Sequence, residues 1–207
     1  MRVDADGTLV EHADISGVAT GHCNDLVVDA AGNAYVGNFG FDMEGGDEFA
    51  TASLALVRPD GSVEVAATDL MFPNGSVIVD DGATLIVGES FGGKYLAFDI
   101  AADATLSNRR TWAEVDGMAP DGCSVDAEGG IWFSDALGKQ VVRVIAGGEV
   151  THQLPTGDNT FACMLGGEDG TTLFALTCED SHPSKAAGSG TGKLWTTTVD
   201  VPRNATD

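Results

Sequence analysis

One short pattern recurs along this chain: an apolar run of strand length, an acidic residue with glycine, then a second β-branched or aromatic run. It occupies residues 24–38, 74–88, 121–134 and, in a worn copy, 163–176. Two such runs across an acidic-Gly turn form a β-hairpin. The first three copies start 50 and 47 residues apart, close to the ~40–50 residues of a propeller blade. Between copies lie further strand pairs. Residues 53–57 turn through Pro59-Asp60-Gly61 into 63–66, and residues 141–145 turn through Gly147-Gly148 into 150–154, which gives four strands per repeat. No window of a dozen residues free of glycine carries the 3.6-residue apolar period of a helix. The 28 glycines among 207 residues are about twice the usual ~7% and fit a fold of short strands and tight turns. The predicted class is all-β, a β-propeller, as one domain over residues 1–207.

Counting blades raises a closure problem. The chain opens on what reads as an outer hairpin (Val3, Asp6-Gly7, Leu9-Val10) and then has four inner hairpins, about four to five blades. A propeller leaves no unprotected sheet edge only when its first and last blades meet. Three expectations follow: the ring closes with four to five blades, the chain associates with another copy, or it is the C-terminal part of a longer protein. Residues 179–193 read as a mobile surface loop, and residues 194–201 as a strand completing the last blade. Trp112, Trp132 and Trp195 are expected in the core between blades.

The net charge is −22, which repels phosphate backbones and anionic bilayers, so neither nucleic acid nor membrane is an expected partner. The first residues lack an apolar leader, and nothing approaches the ~20 apolar residues of a spanning helix. Cys23, Cys123, Cys163 and Cys178 have no C-x-x-C spacing and read as buried, reduced thiols. A cytoplasmic protein is expected.

The starts of the inner hairpins hold the chemistry, because equivalent positions in successive blades point at one axis. Asn24, Asn74 and Asp121 are such equivalents. Two amides and a carboxylate make an oxygen-only site for one divalent metal ion, Ca²⁺, Mg²⁺ or Mn²⁺, with Zn²⁺ if the geometry is open. The competing reading is that Asn-Asp, Asn-Gly and Asp-Gly are ordinary turn dipeptides.

Several stretches then resemble a known family: Gly21-His22-Cys23-Asn24-Asp25, the run from Gly32 to Asp42, Phe72-Pro73-Asn74-Gly75, Leu106-Ser107-Asn108-Arg109-Arg110, and the run from Ala119 to Gly129. In that order and spacing they are similar to the gluconolactonase, regucalcin (senescence marker protein) and lactone-hydrolase family. The resemblance implies a six-bladed propeller with one divalent metal on the axis, Asn74 and Asp121 as ligands, and Asp121 as acceptor of the proton from the attacking water. It places Asn24 at the metal or the substrate. It also places His22 where some members carry an arginine that meets the sugar, and it makes a small-molecule lactone the expected partner. The family's first blade supplies a Glu ligand from an E-G-P-type stretch. This chain has none, since Glu11 precedes His12 and Ala13, and six blades need ~270 residues.

Other residues carry less. No G-x-S-x-G elbow surrounds Ser90, so Glu89 and Ser90 read as strand-end caps. His12, His22, His152 and His182 lack zinc spacing. Asp42, Glu44, Asp47 and Glu48 fall in a Gly-punctuated acidic loop. The alternatives to a lactonase are a propeller retained as a binding module and a calcium-binding regulator without turnover.

Overall fold

The computed structural model describes residues 1–204. Arg2–Val3 (β1) and Leu9–Val10 (β2) pair as a separate two-stranded sheet, so the opening hairpin forms but joins no blade. Three four-stranded antiparallel meanders follow. The first is Cys23–Val28 (β3), Ala34–Asn38 (β4), Ala52–Val57 (β5) and Val63–Leu70 (β6). The second is Pro73–Val79 (β7), Thr84–Glu89 (β8), Lys94–Ile100 (β9) and Leu106–Glu114 (β10). The third is Pro120–Val125 (β11), Ile131–Asp135 (β12), Gln140–Val144 (β13) and Val150–Pro155 (β14). The fourth has three strands, Asn159–Gly166 (β15), Thr172–Cys178 (β16) and Lys193–Thr198 (β17). This is a propeller arrangement of four blades. The innermost strands β3, β7, β11 and β15 neighbour one another in chain order.

The recurring acidic-Gly turn has a local cause. Asp29 Oδ1 accepts from the backbone N–H of Ala31 and Asn33 at 2.9 and 2.8 Å, and Asp126 Oδ1 does the same for Glu128 and Gly130 at 3.0 and 2.9 Å. Gly32 and Gly129 follow with φ of 88° and 78°, a region closed to most L side chains. The carboxylate closes the turn and the glycine lets it reverse.

Alternation along each strand then sends its two faces into two different seams. Leu85 and Val87 pack with Tyr35, Leu54 and Leu56 between the first and second blades. Their neighbour Ile86 packs with Val125, Ile131 and Phe133 between the second and third. Trp132 turns the other way, joining Leu165 and Leu173 against the fourth blade. Among the described residues, the apolar faces at the two ends of the array meet no further blade: Leu26 and Val28 on β3 are 50% and 52% exposed, Leu194 on β17 64%.

Three sequence expectations need correction. Trp195 is 46% exposed rather than core, because it stands on the terminal strand of the last blade. Cys23 is exposed, since no sheet covers β3, whereas Cys123 and Cys163 are buried. The 179–193 connection contains one helical turn, Pro183–Ala186 (α1), started by Pro183 with His182 accepting from Ser184 N–H. Among the described residues no helix is long and apolar enough to cross a membrane.

Candidate metal centre

Every innermost strand carries a register break at its start. The ladder skips between Cys23 and Leu26, between Pro73 and Ser76, between Pro120 and Cys123, and between Thr160 and Ala162. Each break leaves one residue more on the inner strand than on its partner, a β-bulge, which re-aims side chains at the rim of a sheet. The bulged residues are Asn24-Asp25, Asn74-Gly75, Asp121-Gly122 and Phe161. Glycine is needed at the second position of the middle two pairs. A Cβ on Gly75 would strike the Asp121 carbonyl oxygen, and one on Gly122 would lie 3.0 Å from Ala162 Cα. Their absence lets neighbouring inner strands close up and draws Asn74 and Asp121 together.

Asn24, Asn74 and Asp121 accordingly line one cavity of about 330 Å³, together with Asp25 and Phe161. Asn74 is 4% exposed. Its Nδ2 donates to Ser90 Oγ at 3.0 Å, and Ser90 Oγ donates to the Pro120 carbonyl at 2.5 Å. Ser90 thus ties the amide of the second blade to the residue preceding Asp121 in the third. Asn24 Nδ2 donates to the Pro73 carbonyl at 3.3 Å, which ties the first blade to the second. Both amides spend their N–H groups on the protein, which leaves each Oδ1 as the atom with acceptor capacity.

Burial pushes the Asp121 carboxyl up to about 7; a hydrogen bond from Asn74 and the Gly122 N–H act against this, and the Asp25 charge acts with it. Asp25 is itself raised by burial, offset in part by the Leu26 N–H. Two partly buried carboxylates therefore face one cavity whose lining holds no Lys, Arg or His. Among the described residues no three His, Cys, Asp or Glu side chains gather as a metal cluster. The donor set is instead two carboxylates and two amides, all hard oxygens, with mutual repulsion that a cation would relieve.

Asp25 is the residue that sequence reasoning passed over. It stands where the next two blades have Gly75 and Gly122, and its signal was that substitution: a carboxylate in a bulge slot otherwise reserved for the smallest residue. His22 is not in this cavity. It lines the adjacent depression beside Cys23, with its ring stacked on Phe39 at 5.9 Å. Glu89, read as a cap, is 1% exposed and accepts from Met71 N–H at 2.7 Å. Lys94 Nζ and Arg109 Nη2 lie 3.5 and 3.7 Å from its carboxylate. Glu89 so holds the loop in which Asp69 and Phe72 take φ of 58° and 62° just before Asn74.

Known proteins share this plan. The chain is 27% identical to the 6-deoxy-6-sulfogluconolactonase of Pseudomonas putida over 97% of its own length and 70% of that protein's. It is 31% identical to the regucalcin of Danio rerio, matching 73% of this chain and 52% of the relative; the chain thus spans about half the length of that regucalcin. Among solved structures, a gluconolactonase from Xanthomonas campestris superposes with a TM-score of 0.69 at 27% identity, over 98% of this chain and 64% of that one. The calcium-binding regucalcin of Agrobacterium tumefaciens superposes at 0.78 with 19% identity, covering 97% and 69%, a likeness of fold. The SMP-30/Gluconolactonase/LRE-like region matches residues 1–179, which contain all four bulged strand starts, and the chain belongs to that family.

Proposed function

We propose that this site holds one divalent cation through Asn74 and Asp121, with Asn24 and Asp25 beside it, and that the chain hydrolyses a lactone to the hydroxy acid. The observation that carries the reading is the convergence of four bulged strand starts on one cavity, three of them bearing oxygen side chains and one a carboxyl lifted to about 7. Lactonases among the relatives support the reaction class, and a calcium-binding relative supports a divalent ion. The bound cation would supply Lewis-acid polarisation of the lactone carbonyl and a water of lowered pKa.

The protein's own residues do the rest. Asp121, a carboxylate on a bulged strand start that faces the cavity, takes the proton of the attacking water. The water oxygen bonds to the carbonyl carbon, the ring C–O bond breaks, and the proton passes to the departing ring oxygen. Ser90 holds Asn74 in orientation throughout, and Asn24 in the cavity and His22 in the adjoining depression would meet the substrate.

The test is turnover of glucono-δ-lactone and of non-sugar lactones with Mn²⁺, Zn²⁺, Ca²⁺ or chelator. Asp121→Ala should lower metal-supported hydrolysis by at least a hundredfold with the fold intact by circular dichroism; wild-type turnover would remove Asp121 from the mechanism. Tight cation binding without turnover of any lactone would favour the second reading, a binding propeller.

A further inference from the structure

Five of the nine phenylalanines stand not in the seams between blades but on the loops beside the candidate site. Phe39 stacks on Phe72 with centroids 4.4 Å apart, Phe72 stacks on Phe91 at 4.7 Å, and Phe91 meets Phe49 at 5.9 Å and Phe41 at 6.3 Å. His22 extends the row at its other end. Backbone contacts tie this row to the site. Phe39 N–H donates to the His22 carbonyl, Ser90 N–H to the Phe72 carbonyl and Phe91 N–H to the Met71 carbonyl. Phe72 precedes Asn74 by two residues, and Phe91 follows Ser90, the side chain that holds Asn74.

This row is continuous and it is open. Phe41 and Phe72 are 8% and 7% exposed and anchor it, while Phe49 and Phe91 are each 47% exposed. A lone exposed apolar residue is ordinary, whereas a contiguous stacked patch on loops that lead directly into Asn74 and Ser90 is a candidate binding surface. Phe72 stands in the row at a positive φ of 62°, a conformation unfavourable for an aromatic residue. Flanking it is the exposed acidic loop with Asp42, Glu44, Asp47 and Glu48, which disfavours an anionic ligand.

We infer that this aromatic row is the subsite for the substituent of the substrate, and that the favoured substrate is a neutral lactone carrying an aromatic or long apolar group rather than a polyhydroxylated or anionic sugar lactone. The inference rests on the proposed hydrolytic site and names its substrate class. A flat apolar group lies against the rings of Phe91 and Phe49, where face and edge contacts add to the area buried, and the ester carbonyl reaches the oxygen-lined cavity. A sugar ring laid against Phe49 and Phe91 would bring its hydroxyls to two rings that offer no hydrogen-bonding group, leaving only the flanking carboxylates to accept from it.

The experiment compares kcat/KM for dihydrocoumarin, δ-valerolactone and glucono-δ-lactone in the Mn²⁺-loaded protein and in Phe91→Ser and Phe49→Ser, each checked by thermal melting. Dihydrocoumarin should exceed glucono-δ-lactone at least tenfold, and Phe91→Ser should cut the ratio of dihydrocoumarin to δ-valerolactone about tenfold, chiefly through KM. Preference for glucono-δ-lactone, or a ratio unmoved by either substitution, overturns the subsite while leaving hydrolysis standing. A second arm does not need turnover: the lactam 3,4-dihydro-2-quinolinone is titrated by NMR against wild type and Phe91→Ser. If no lactone is hydrolysed but the lactam binds and Phe91→Ser weakens it at least fivefold, the subsite stands and the hydrolytic reading falls. Lactam binding that is absent, or equal in both proteins, overturns the subsite.

Discussion

β11 carries at its second position Asp121, a carboxylate on a bulge, raised by burial and facing a second carboxylate across the cavity. Four residues later the same strand reaches Val125, 1% exposed, in a seam with Ile131, Phe133 and Val142 at 0%. Along that distance the demands on the sequence reverse. In the seam the ladder is regular, pairing Ser124 with Trp132 and Val125 with Ile131, and burial of apolar area stabilises at about 25 cal/mol per Å². At the mouth the ladder is broken and charge is held away from water at a cost. The seam secures the fold, and the mouth draws on that stability to keep two carboxylates facing one cavity.

The largest separation of the two regions should come from Phe133→Ala. Phe133 is fully buried, touches Tyr95 edge-on at 5.7 Å and sits in the seam between the second and third blades. Deleting the ring leaves a cavity and costs about 3–5 kcal/mol, a fall in Tm of about 6–20 °C at ~2–4 °C per kcal/mol. Below its melting range the variant should bind Mn²⁺ with affinity within twofold of wild type by isothermal titration. A large loss of affinity in the folded variant would mean that the two ends of the strand are not separable.

Asp121→Asn should act in the opposite sense. The folded carboxyl is pushed up to about 7, while in the unfolded chain it titrates near ~3.9. Between these values the folded state binds more protons than the unfolded, so stability falls as pH rises through that window, and the penalty is complete above about 7. The amide carries no charge and escapes it. In chelator at pH 8 the variant should be more stable by up to about 4 kcal/mol, raising Tm by up to about 8–16 °C, with a smaller gain at pH 5. A lower Tm at pH 8 would show that Asp121 is a structural anchor and would erase the contrast with the seam.

How much of this contrast could be read beforehand follows from which interactions are local. The acidic-Gly turns, with Asp29 and Gly32 or Asp126 and Gly129, bond within four residues, so the hairpins and their period were legible in the sequence. So was the shared position of Asn24, Asn74 and Asp121, because like positions in like repeats meet at one axis. The bulges were not legible as such, since a register break depends on the partner strand. Asp25 was missed for that reason: in a regular strand it would point away from Asn24, and only the bulge turns both toward the cavity. Trp195 was misplaced because propensity says strand but does not say whether a further blade covers it. The aromatic row escaped because Phe39, Phe72 and Phe91 are scattered over three segments and join only through loop contacts.

Ser90→Ala is the finest probe of the boundary, because Ser90 belongs to both regions. It is 8% exposed at the end of the second blade's β8, it accepts from Asn74 Nδ2 and it donates to the Pro120 carbonyl. Removing the hydroxyl deletes two hydrogen bonds and strands a buried acceptor, yet the expected loss of stability is only about 1–2 kcal/mol, or about 2–8 °C in Tm. The effect on the site should be larger in proportion, because groups that orient a ligand are typically worth ~10–100-fold in metal affinity. Without Ser90, Asn74 Nδ2 keeps only its hydrogen bond to Asp121, and the Oδ1 that would face a cation is held less firmly. Mn²⁺ affinity measured by titration should fall about tenfold, and Ser90→Thr, which restores the hydroxyl, should recover most of it. Equal affinity in all three proteins would reduce Ser90 to a strand-end cap and would place the mouth under the same packing rules as the seam.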